Sequence, residues 1–146
     1  MKNQGKLCAN IFVYGTLKRG QCREKCWPRP PLQVNPAWTF GYLYDLGDYP
    51  ALIDGTDRIA GEVWSFLDAD LDEVLAVLDG IEGTNQPAER NEYDRITDNV
   101  FLMSGDSTRA QMYVYARREV LSEGMKLVAL TSDMYVAWPT TRATKT

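Results

Sequence analysis

The chain contains no histidine. Ser-His-Asp and Cys-His catalysis in their usual forms are thereby excluded, as is every histidine-containing metal site. Acid–base chemistry falls to carboxylates, Tyr, Lys or Cys. Cysteine is scarce: Cys8, Cys22 and Cys26 are the 3 present, too few and odd in number for a disulfide framework. Cys22 and Cys26 stand as C-x3-C without a second pair, a weak metal signal. Reduced free thiols, no bound metal and a cytoplasmic location are the expectation. Long apolar runs are also missing, and no stretch approaches the length of a membrane span. MKNQGKLCAN carries two lysines with no apolar run behind them, so it does not read as a secretory signal. Positive charge is in deficit, with 16 Lys+Arg against 20 Asp+Glu and a net charge of −4. That balance argues against nucleic acid as a partner, because neutralising phosphates needs a basic surface.

What remains is an ordinary globular composition, 45% hydrophobic and 25% charged, in 146 residues. This length suits one domain with a real core, expected to span 1–146 with a polar tail from about 139. Residues 7–14, LCANIFVY, read as a largely buried strand ending at Gly15. Pro28, Pro30, Pro31 and Pro36 argue against regular sheet over 21–37, apart from a short helical turn near 21–26. Strands are expected at 38–46, 51–53 and 59–67, with Asp54-Gly55 as a turn between the last two. Leu71, Val74, Leu75, Leu78 and Ile81 share one face of a helix over about 70–80. Asp70 and Glu73 form a candidate capping box, and Gly80 is the expected terminator. A polar loop at 83–92 leads to a hairpin of strands 93–103 and 110–117. Between 120 and 136 periodicity decides nothing, and short helices near 118–122 or 131–136 are the candidates. Five or six strands with one clear helix make an α+β chain, closed as a strongly curved sheet or small barrel.

Three places could carry chemistry. Tyr14-Gly15-Thr16-Leu17 follows the first strand, and a glycine there can turn successive N–H groups toward an anion. On spacing alone an ordinary glycine turn is the preferred reading, and Gly-x-x-Lys-x-Gly is not a phosphate loop. Glu82, in Asp79-Gly80-Ile81-Glu82-Gly83, stands just past the expected helix end, where unpaired carbonyls make the potential negative. Partial burial there would raise its pKa into the range of a general base, whereas a solvated loop glutamate is the commoner role. Tyr93 and Arg95 alternate onto one face of a strand. Tyr93 could orient a polar substrate and Arg95 could clamp a carboxylate. A structural ion pair between Arg95 and a nearby acid is an equal alternative. Tyr113 and Tyr115 read as core and pocket lining, and Trp38, Trp64 and Trp138 as packing.

VYGTLKRG at 13–20, YPAL at 49–52, GEVW at 61–64, LDGIEG at 78–83 and Tyr93-x-Arg95 together resemble the γ-glutamylcyclotransferase-like family. The ordered set covers residues 11 to 117. The resemblance implies a small mixed-strand β-barrel with flanking helices and a cavity at one end. It implies that Tyr14–Leu17 holds a γ-glutamyl group through backbone contacts, and that Glu82 is the catalytic acid/base. The implied reaction closes a γ-glutamyl amine or amino acid to 5-oxoproline and releases the amine, with no cofactor. Two segments depart from the family pattern, the Pro-rich 27–36 and GTNQPAERNE at 83–92, and both are expected to border the cavity. The implied partner is a small-molecule γ-glutamyl substrate, taken by a monomer or homodimer. Two other readings stand beside this one: a non-catalytic domain binding a small carboxylate, and a different amide cleavage in the same pocket.

Overall fold

Apolar alternation in β1 (Asn10–Val13) organises the molecule. Phe12 joins one buried cluster with Leu43, Leu52, Ile59, Val63, Val100 and Met112. Its neighbours Ile11 and Val13 join a second, with Trp64, Val74, Leu78 and Tyr113. Successive strand residues face opposite sides, so β1 separates two apolar layers and is buried on both. The computed structural model describes residues 9–84, 91–117, 126–127 and 134–139.

The remaining strands are β2 (Gln33–Asp45), β3 (Pro50–Ser65), β4 (Tyr93–Leu102), β5 (Ser107–Tyr115) and the short β6 (Lys126–Leu127). Their order is β3-β1-β5-β4-β2-β6, and a further β2–β3 pairing closes five of them into a barrel. β1 runs parallel to β5, and the other pairings are antiparallel, so the barrel is mixed as expected. Closure removes the exposed sheet edges that would otherwise invite aggregation. The Phe12 cluster draws on all five barrel strands and fills the interior. The Trp64 cluster lies outside it, under the helix α1 (Asp68–Glu82). Val74 and Leu78 are fully buried there, each stabilising the docked helix by about 1.5–3 kcal/mol.

Several boundaries differ from expectation. β2 begins at Gln33 and includes Pro36. Proline suits extended backbone and forfeits only its own N–H, and the Pro36 carbonyl still accepts from Met103 N–H at 3.2 Å. Asp54-Gly55 does not separate two strands, because β3 is continuous. The ladder pairs Tyr42 with Ile53 and Gly41 with Asp57, so residues 54–56 are extruded as a bulge. The helix starts at Asp68 without a side-chain cap. Asp70 and Glu73 lie within it and face Arg29, at 3.9 and 2.8 Å, so no capping box forms. The helix also passes through Gly80 and ends at Gly83, whose φ of +67° suits glycine. The expected helical turn is a 3-10 turn at Glu24–Cys26. Cys8, the 118–122 helix candidate and residues 140–146 lie outside the described residues. So does the start of the 131–136 candidate, and Val136 itself bridges to Ile59 as extended chain.

Candidate active site

The last turn of α1 is pinned by one carboxylate. Asp79 accepts the Tyr113 O–H at 2.7 Å and pairs with Arg95 Nε at 3.1 Å. Arg95 also donates to Gln111 Oε1 at 2.6 Å. Thr84 N–H closes onto the Asp79 carbonyl at 2.9 Å, and the Thr84 hydroxyl donates to the Tyr93 carbonyl at 2.7 Å. Glu92 N–H reaches the Gly83 carbonyl at 3.0 Å. These bonds draw the entrance of β4 against the helix end. Glu82, one turn beyond Asp79, is thereby held as the last residue of the helix rather than just past it.

Opposite lies the loop leaving β1. Gly15 packs so closely on Pro50 that a Cβ would meet the proline ring at 2.7 Å. Lys18 N–H turns back to the Gly15 carbonyl at 3.1 Å, and Arg23 N–H caps the Thr16 carbonyl at 2.8 Å. The Trp27 indole, stacked on Trp64, donates to the Leu17 carbonyl at 2.9 Å. The loop's carbonyls are therefore occupied. The N–H groups of Gly15, Thr16 and Leu17 donate to nothing among the described residues. Fixed carbonyls and free amides make an anion-seeking wall.

Between these walls is a cavity of about 270 Å³. Its inner surface includes Phe12, Val13, Tyr14, Tyr93 and Tyr113, all buried. Arg23, Tyr49, Glu82 and Glu92 line it as half-buried side chains. The Glu82 carboxylate makes no hydrogen bond or ion pair among the described residues. Burial pushes its pKa up, and nearby Glu92 adds to the rise while Arg23 opposes it, leaving it at about 7. Such a group exchanges protons near neutrality. Burial likewise raises Tyr14, Tyr93 and Tyr113, so their hydroxyls stay protonated.

Of the residues picked out from the sequence, Tyr14, Gly15, Thr16, Leu17, Glu82 and Tyr93 line this one cavity. Arg95 does not. It faces the helix side as strand alternation requires, but Asp79 and Gln111 occupy its guanidinium, which is the structural ion pair. The hydroxyls of Tyr14 and Tyr93 donate to the carbonyls of Tyr113 and Pro50, each at 2.6 Å, so they brace the barrel. None of residues 27–36 lines the cavity, and Trp27 acts from behind it. Of the 83–92 segment, Gly83 and Glu92 do line it, and 85–90 lie outside the described residues. Sequence reasoning missed Arg23, Tyr49, Glu92 and Asp79. Asp79 could have been found by its spacing of three from Glu82 on one helix face. Among the described residues no group of three or more His, Cys, Asp or Glu is arranged to hold a metal.

Comparison with known proteins bears on the family and the fold. Residues 11–135 match the family described as gamma-glutamyl cyclotransferase, AIG2-like. The chain belongs to this family. A γ-glutamyl cyclotransferase is among its relatives by sequence. The chain is 34% identical over 114 residues to gamma-L-glutamyl-butirosin B gamma-glutamyl cyclotransferase of Niallia circulans, covering 77% of this chain and 70% of the relative. An AIG2-like protein from Mus musculus shares 28% identity at a TM-score of 0.57, over 74% of this chain and 77% of the mouse chain. YkqA from Bacillus subtilis shares the fold at 22% identity and a TM-score of 0.57, over 73% of this γ-glutamylcyclotransferase-like chain but only 35% of its own length.

Proposed function

We propose that the cavity cyclises a γ-glutamyl amine or γ-glutamyl amino acid to 5-oxoproline, releasing the amine, with Glu82 as general acid/base. One observation carries the reading: a carboxylate with a pKa of about 7 shares a small cavity with three backbone N–H groups, all without a partner among the described residues. In this reaction the substrate's α-amine attacks its own γ-carbonyl. A five-membered lactam forms and the γ-amide C–N bond breaks. The enzyme supplies no nucleophile, which suits a chain without histidine. It must fold the glutamyl chain into a near-attack shape, the entropic part of the barrier. Glu82 takes the proton from the α-ammonium and delivers it to the departing nitrogen, two transfers that favour a pKa near the working pH. The amides of Gly15, Thr16 and Leu17 hold the glutamyl group and can stabilise negative charge on the carbonyl oxygen. Tyr14 and Tyr93 shape the floor.

The test is 5-oxoproline release from a panel of γ-glutamyl compounds by the wild type and Glu82→Gln. Release by the wild type and its loss in a folded variant support the reading. Full turnover by the variant would sink it. Ligand binding without product from any substrate would instead favour a non-catalytic carboxylate-binding domain.

A further inference from the structure

The reading above leaves two charged groups at the cavity unused, Arg23 and Glu92. Arg23 is the cation among the described lining residues, yet its guanidinium has no hydrogen bond or ion pair among the described residues. Its backbone is fixed, because its N–H bonds the Thr16 carbonyl at 2.8 Å and Cys26 N–H bonds its own carbonyl at 2.9 Å. The side chain therefore projects from a braced turn. Arg29 and Arg95, by contrast, meet acids at 2.8 and 3.1 Å. The neighbouring acid Glu92 is already engaged by the Tyr49 hydroxyl at 3.0 Å.

The cavity has a buried part and a half-buried part. The floor is made of buried Tyr14, Leu17, Tyr93 and Tyr113, with the free loop amides beside it. Arg23 is half-buried, and its charge is felt at both the half-buried Tyr49 and Glu82. It thus belongs, with Tyr49, Glu82 and Glu92, to the half-buried part of the lining, away from the buried floor. Resting on the cyclotransferase reading, we propose that Arg23 binds a carboxylate carried by the leaving amine, so that the substrates are γ-glutamyl amino acids rather than simple γ-glutamyl amines. A guanidinium–carboxylate pair is the strong, charge-assisted case, and no side chain among the described residues occupies this one.

Two substrates differing only in that carboxylate test it: γ-glutamyl-alanine and γ-glutamyl-ethylamine, with 5-oxoproline release as readout. The wild type is expected to favour the alanine compound by about 10- to 100-fold in kcat/KM, the range of a charge-assisted hydrogen bond. In Arg23→Gln that ratio is expected to collapse toward one, and in Arg23→Lys to recover in part. Any change in Glu82 ionisation on removing Arg23 acts on both substrates and cancels in the ratio. A wild-type ratio near one overturns the proposal without any variant. A ratio that survives in Arg23→Gln also overturns it, with equal losses on both compounds assigning Arg23 to the glutamyl half. If neither compound, nor any of the γ-glutamyl panel, yields 5-oxoproline, the cyclotransferase reading fails and takes this proposal with it. Comparable turnover of both compounds leaves that reading standing and removes the carboxylate subsite alone.

Discussion

Asp79 and Glu82 are two carboxylates one turn apart at the end of α1, and their surroundings are opposite. Asp79 is engaged, with the Tyr113 hydroxyl and the Arg95 guanidinium on a single oxygen. Glu82 is buried enough to hold a pKa of about 7 and has no partner among the described residues. A carboxylate held by a hydroxyl and a guanidinium anchors structure. One that is desolvated and left unpaired is costly to the fold and available for proton transfer. The contrast teaches how to tell them apart: partners, rather than position on the helix, separate the structural acid from the chemical one.

Four measurements can break or sharpen this contrast. The largest effect is expected from Glu82→Gln, which should lower kcat for 5-oxoproline release by about 10³-fold, the scale of general acid–base catalysis. Circular dichroism should show the fold intact. A loss below tenfold would mean that Glu82 is not the acid/base. Next is pH. Ionised Glu82 is the form that takes the α-ammonium proton, so kcat/KM should fall below a pKa of about 7. Each pH unit further down should cost about tenfold, and a profile flat from pH 5 to 8 would contradict the assignment.

Stability comes third, and here the two acids should move in opposite directions. The folded pKa of Glu82, about 7, lies above its ordinary value of 4.5. Below 4.5 the group is protonated in both states and contributes nothing. As pH rises from 4.5 to 7 the unfolded chain ionises first, so wild-type stability falls across that window and stays lower above it. Glu82→Gln should therefore unfold at higher temperature than the wild type at pH 8. The gain should be at most about 3 kcal/mol and should shrink toward pH 5. Asp79→Ala should instead lose about 1–2 kcal/mol, because it leaves the buried Tyr113 hydroxyl without its acceptor and Arg95 without its acid. Thermal melts at both pH values check the pair, and equal signs would erase the distinction. The smallest effect belongs to Arg95→Lys. It keeps the charge but loses the fixed guanidinium geometry, so a loss of about 1 kcal/mol is expected, with KM changing less than twofold. A tenfold rise in KM would return Arg95 to the substrate.

Much of this was legible in local pattern. The alternation around β1, the apolar face of α1 and the β4–β5 hairpin follow from periods of two and 3.6, which the chain expresses within a few residues. The glycine turn at Gly15 and the acid at Glu82 could be singled out because each sits at the end of a readable element. Other features were not legible, because distant residues decide them. Pro36 enters β2 although prolines usually interrupt sheet. Asp54-Gly55 looks like a strand break and serves as a bulge, since β2 pairs on both sides of it. Gly80 resembles a helix stop, yet the Asp79–Tyr113 and Thr84–Tyr93 bonds carry the helix on to Glu82.

By itself, the sequence determined the elements, the absence of histidine chemistry and the set of motifs that mark the family. Those are properties of residue type and short spacing. Only the tertiary structure decided which polar groups are already occupied. Arg95 stands out in the sequence and Arg23 does not, yet Arg95 meets Asp79 and Arg23 lines the cavity. Hydrogen-bond saturation and desolvation depend on what the fold brings within about 3 Å, and those neighbours come from far along the chain.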